Sequence, residues 1–124
     1  MHIKRADLAW IAVGDIKEAK KFFGEILGLE LRAEAEEYGW LEFMPKEGGC
    51  ALGVGKCNEE YNEVKPGNNA ILTFTVDDIM SAKAELEQHK VTILGDVVEV
   101  PGHVKMLFFT DRDGNKFQLV QTLS

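Results

Sequence analysis

The sequence predicts an α+β protein built from two tandem βαβββ modules. Three observations lead there: a repeat within the chain, stretches of alternating apolar and polar residues, and glycine-bearing turns between them. The repeat is the strongest of the three. Residues 13–25 read "VGDIKEAKKFFGE" and residues 76–88 read "VDDIMSAKAELEQ". Val13/Val76, Asp15/Asp78, Ile16/Ile79, Ala19/Ala82 and Lys20/Lys83 coincide at an offset of 63. Further on, "FMPKEGGCALGV" from Phe43 resembles "FTDRDGNKFQLV" from Phe109, now at an offset of 66.

Each module reads in the same order. Residues 8–13 and 70–76 alternate as half-buried strands do. Asp15 and Asp78 then stand where a helix N-cap is wanted, and Glu18 completes a capping-box-like pair with Asp15. Ile16, Ala19, Phe22, Phe23, Ile26 and Leu27 form an apolar stripe at helical spacing. Gly28 suits the left-handed residue that ends a helix. The second helix is expected over residues 79–89, with Ile79, Ala82 and Leu86 inward. Three strands should follow each helix, at 30–35, 38–44 and 50–56 in the first module. In the second they should lie at 92–100, 104–110 and 116–122. Gly48-Gly49 and Asp113-Gly114-Asn115 supply hairpin turns, because glycine tolerates positive φ. The modules are expected at 1–56 and 69–124, joined by a polar linker over 57–68 that carries Pro66-Gly67.

Composition narrows the function. The chain has 124 residues, 45% hydrophobic, enough for one domain with a real core. Its net charge of −7 argues against a nucleic-acid backbone as partner, which needs a basic surface. No apolar run approaches the roughly 18 residues of a membrane span. The start "MHIKRADLAWIAV" lacks the pattern of a signal peptide, so a cytoplasmic location is expected. Cys50 and Cys57 form no CxxC motif and are expected as free thiols. Neither a GxSxG serine motif nor a phosphate-binding P-loop occurs.

Three stretches carry a family resemblance: "LAWIAVGDIKEAKKFFGEILGLEL", "ILTFTVDDIMSAKAEL" and "FFTDRDGNKFQLVQ". They resemble the vicinal oxygen chelate superfamily of glyoxalase I, extradiol dioxygenases, methylmalonyl-CoA epimerase and the bleomycin and fosfomycin resistance proteins. Arg112 stands where that family's closing motif has proline. The resemblance implies that each mixed sheet curls into a half-barrel, with helices outside and a cavity between modules, within one chain or across a dimer, and a homodimer is the expected form, as in many family members. Metal-using members place four ligands there, one on the first and one on the last strand of each module. The matching positions are Leu8, Leu52, Ile71 and Gln118. Three aliphatic side chains and one amide are not a divalent-metal site, so neither metal nor cofactor is expected.

Strand alternation then gives the expected lining. Trp10, Tyr38, Trp40, Glu42 and Leu52 come from the first module. Thr73, Thr75, Met106, Phe108 and Gln118 come from the second. Apolar walls with a few polar handles suit a small-molecule pocket, and indole faces beside a carboxylate suit an aromatic or cationic ligand. The leading expectation is a metal-free small-molecule-binding protein of the glyoxalase/bleomycin resistance type. A metal-dependent lyase, isomerase or dioxygenase stays open, as does a dimer with no ligand whose aromatic faces are simply core. Glu42 with Lys116 as its partner, or Glu42 as a base of raised pKa, are further expectations at this position.

Overall fold

In a computed structural model, which describes residues 2, 4, 6–57 and 65–123, Asp15 and Asp78 cap the two helices. Asp15 Oδ1 accepts hydrogen bonds from the Lys17 and Glu18 N–H groups at 2.9 and 3.2 Å. Asp78 Oδ1 accepts from Met80 and Ser81 N–H at 3.0 and 3.2 Å, and its Oδ2 accepts from the Ser81 hydroxyl at 3.1 Å. These oxygens satisfy N–H groups that have no partner in the first helical turn. The Ser81 donors, with Met80 behind them, hold the Asp78 carboxyl below its ordinary range. A lowered folded-state pKa contributes stability above the unfolded value and loses it as pH falls through the folded one. Asp78→Ala should therefore lower the melting temperature by about 3 °C at neutral pH. The deficit should fade in acid, as a pH series of thermal melts would reveal.

The chain divides into two units, residues 1–68 and 69–124. The first contains β1 (Leu8–Val13), α1 (Ile16–Lys21), β2 (Glu30–Ala35), β3 (Trp40–Met44) and β4 (Ala51–Lys56). The second contains β5 (Leu72–Thr75), α2 (Ile79–Gln88), β6 (Thr92–Val100), β7 (Val104–Thr110) and β8 (Lys116–Thr122). Each is a βαβββ module. The strand orders are β1-β4-β3-β2 and β5-β8-β7-β6. In each sheet the first and last strands of the module run parallel, and the other neighbours are antiparallel. The fold is α+β with two mixed sheets. Most of the expected linker, residues 58–64, lies outside the described residues. Among the described residues no helix is long and apolar enough to cross a membrane.

One face of each sheet is sealed against its helix. In the first unit Ile11, Val13, Leu41, Phe43, Leu52 and Val54 are almost fully buried, with Phe23 of the helical segment among them. The Phe23 and Phe43 rings lie 5.9 Å apart. In the second unit Leu107, Phe109, Phe117 and Leu119 are buried with Ile79 and Leu86 of α2. Phe117 stacks on both Phe109 and Phe74, at 5.5 and 5.9 Å. Each such side chain contributes about 1.5–3 kcal/mol by leaving water. Alternation in β3 and β7 anticipated this sealed face.

Four details depart from the expected pattern. The helical segment after α1 winds as a π-turn over Phe22–Ile26 before Gly28, at φ 70°, ends it. β5 covers only Leu72–Thr75 of the expected 70–76. Tyr38 is not in β3. It lies in a single 3-10 turn, Glu36–Tyr38, and is 82% exposed. Finally, one of the two edge strands of each sheet carries a bulge, between Leu31 and Ala33 in β2 and between Leu94 and Val98 in β6.

The β7–β8 hairpin is closed by a buried polar pair. Asp111 Oδ1 accepts from the Asp113 and Asn115 backbone N–H groups, each at 2.9 Å. Its Oδ2 accepts from Asn115 Nδ2 at 2.8 Å. Asn115 is fully buried and Asp111 is 5% exposed. Burial pushes the Asp111 carboxyl up, and these hydrogen bonds only partly offset it.

Candidate functional site

The face of the first sheet that turns away from α1 is built on two glycines. Register places Trp10 beside Gly53, and Gly53 beside Glu42. It also places Ala12 beside Gly55, and Gly55 beside Trp40. Neighbouring residues in register share a face, so Trp10, Ala12, Trp40, Glu42, Gly53 and Gly55 form one surface. The indoles lie down across β4. A Cβ on Gly53 would come 2.5 Å from Trp40 Cη2 and 2.9 Å from Trp10 Cβ. A Cβ on Gly55 would meet Trp10 Cζ3 at 3.3 Å. The rings contact each other edge to face, with centroids 6.0 Å apart and planes at 62°. Trp10 remains 38% exposed.

Glu42 is the polar centre of this surface. Trp40 Nε1–H donates to its Oε1 at 3.2 Å, and Arg32 donates to its Oε2 at 2.9 Å. The Arg32 guanidinium and then the Trp40 N–H hold the Glu42 carboxyl below the ordinary carboxylate range, against the opposing effect of partial burial. Two expectations are corrected here. The charged partner that Glu42 has within its own unit is Arg32, where Lys116 was expected. The carboxyl is acidified, which makes it a poor general base. Arg32 reaches this face because the β2 bulge sets both Arg32 and Ala33 against Glu42.

Leu52 is also corrected. It pairs with Ala9 and Phe43 and is 1% exposed, so it belongs to the helix-side core. The first hairpin is one residue longer than the second. Phe43 faces Leu52, nine positions on, whereas Phe109 faces Phe117, eight positions on. A one-residue slip exchanges the faces of a strand. Gly53 is therefore the counterpart of Gln118. Tyr38 likewise leaves the surface, because Gly39 at φ 65° turns the chain between it and Trp40.

In the second unit, the face away from α2 holds five of the expected residues. Thr73 and Phe108 flank Gln118 in register, while Thr75 and Met106 flank Val120. Thr73 Oγ1 donates to Gln118 Oε1 at 2.9 Å. Phe108 is 38% exposed.

The positions matching the superfamily's metal ligands hold Leu8 and Gly53 in the first unit, and Ile71 and Gln118 in the second. Three carry no donor atom, and the Gln118 carbonyl already accepts from Thr73. Among the described residues no three His, Cys, Asp or Glu side chains gather as a metal site would need. This donor set does not fit a divalent ion.

The model of the Glyoxalase/Bleomycin resistance protein/Dioxygenase superfamily matches residues 2–119. The chain belongs to this superfamily. Solved structures agree with the assignment. An antibiotic binding protein, TnmS3 from Streptomyces sp. CB03234, is 28% identical with a TM-score of 0.80, over 98% of both chains. A superfamily member from Sphaerobacter thermophilus DSM 20745 is 25% identical with a TM-score of 0.81, over 96% of this chain and 98% of that one. A glyoxalase/bleomycin resistance protein from Streptomyces sp. CB03234 is 26% identical with a TM-score of 0.75, over 93% of this chain and 98% of that one. No curated protein matches this chain significantly.

Proposed function

We propose that this superfamily member is a ligand-capturing protein that binds a small planar organic molecule on the Trp10/Trp40 surface. The observation that carries the reading is the pair of indoles laid over Gly53 and Gly55, with Trp10 still 38% exposed. Two large aromatic side chains on a glycine floor offer broad apolar contact with few rotamers to freeze, and an indole N–H anchored on Glu42 keeps one ring in place. The 28% identity to an antibiotic binding protein supports capture over turnover. So does the poor fit of the superfamily's ligand positions to a metal. Within the second unit, Thr73, Thr75, Met106, Phe108 and Gln118 are proposed as ligand-contacting residues of that unit's own surface.

Titration of the native protein with planar aromatic compounds, followed by tryptophan emission, tests this. Trp40→Ala should weaken binding by about 3- to 10-fold, the worth of one lost aromatic contact. A panel that leaves the emission unchanged at millimolar concentration sinks the proposal. Stoichiometric Ni, Zn, Fe or Mn in the purified protein would favour the metal-dependent alternative instead.

A further inference from the structure

We infer that the molecule taken by the Trp10/Trp40 surface carries hydrogen-bond acceptors on an aromatic frame, carbonyl or carboxylate oxygens, and is not a cation. The inference rests on the binding reading above and specifies its chemistry. Viewed as sequence, Glu42 between two tryptophans suggests a site for a positive charge. The geometry reverses that polarity. Each Glu42 oxygen already accepts a hydrogen bond, one from Trp40 and one from the positively charged Arg32, which neutralises the carboxylate locally. The Arg32 side chain is 44% exposed, against 24% for Glu42, so the guanidinium is the more accessible charge. A guanidinium has five N–H donors, and among the described residues its one partner is Glu42. An arriving cation would meet Arg32 before it met the carboxylate. An arriving oxygen acceptor would find unused donors beside an aromatic wall.

The overall charge of −7 works the other way and would draw cations towards the protein. At 0.15 M salt, however, that field decays over about 8 Å, and the neighbouring guanidinium decides.

Three probes of one aromatic frame separate the possibilities: 2-naphthoate, 2-acetylnaphthalene and 2-naphthylmethylammonium. Binding is measured by calorimetry at 0.15 M salt, with the Trp40 indole N–H resonance reporting the place. The two oxygen-bearing probes should bind about tenfold or more tightly than the ammonium, as expected for a hydrogen bond to a charged donor. Arg32→Gln should reverse the order, because Glu42 is left with an uncovered charge. Glu42→Gln should tighten 2-naphthoate further. Both changes lie at the sheet surface, and either one suffices as the test. Equal or tighter binding of the ammonium by the native protein overturns the inference while leaving the aromatic surface as the binding place. An order unchanged by both substitutions overturns it too. If no probe moves the Trp40 resonance, the binding proposal falls together with it.

Discussion

Replacing Asn115 with alanine should destabilise the protein by about 2–3 kcal/mol at neutral pH, the cost of removing a buried hydrogen bond to a charged group. Asn115 is fully buried, and its Nδ2 supplies the 2.8 Å hydrogen bond to Asp111 Oδ2. Alanine removes that donor but leaves the carboxyl where it is, 5% exposed and no longer fully paired. Burial already raises the Asp111 pKa, so losing a donor to the charged form must raise it further. The sign of the pH dependence follows. A carboxyl with a raised folded-state pKa favours the fold below the unfolded pKa and ceases to as pH climbs through the folded one. The deficit of Asn115→Ala should therefore be greatest near neutrality and shrink below about pH 4, the ordinary aspartate value. Urea denaturation across a pH series measures both. A deficit that stays constant with pH would mean that Asp111 does not feel the missing donor.

Gly53→Ala should cost about 1–3 kcal/mol and should also disturb the tryptophans, although it adds only one methyl group. That methyl would sit 2.5 Å from Trp40 Cη2 and 2.7 Å from Trp40 Cζ2, closer than carbon atoms approach. The Trp10 Cβ at 2.9 Å closes the other side. One of the rings must leave its position. Gly55→Ala is the control. Its nearest contacts are 3.3 and 3.4 Å, which small shifts accommodate, and alanine restricts the unfolded chain more than glycine does. Near-ultraviolet circular dichroism should change sharply for Gly53→Ala and little for Gly55→Ala, and affinity for aromatic compounds should follow the same order. If the two variants are indistinguishable, the glycine floor has no role in setting the rings.

These two sites also mark where the sequence could and could not be read. Leu41, Phe43, Leu107 and Phe109 were legible as core because alternation within a strand is a local property. So were both aspartate caps, since each acts on groups two and three residues away. Leu52 was misplaced because its face depends on the length of a hairpin several residues earlier. Counting four residues from Gly48 gives Leu52, while counting from Gly49 gives Gly53, and both glycines have positive φ. Tyr38 continues the alternation of Trp40, Glu42 and Met44, and only the left-handed Gly39 breaks it. At that glycine a Cβ would lie 2.8 Å from Lys56 Cβ. Arg32 was invisible for a similar reason. Strict alternation through "ELRAEA" puts it on the opposite face from Ala33, and only the bulge sets the two together. In each case the missed information is one residue of register, which pairing fixes and composition does not.

The same bulges protect the molecule from itself. β2 and β6 are edge strands of their sheets, and an edge offers unpaired backbone groups to any other extended chain. Both edges are faulted near their middle, β2 with the charged Arg32 in the fault and β6 with Gly95 at φ 79° followed by Asp96. A foreign strand laid along either could pair for only a few residues before losing register beside a charge. For a protein whose other sheet face exposes Val98, Val100 and Phe108, that interruption is a guard against edge-to-edge aggregation.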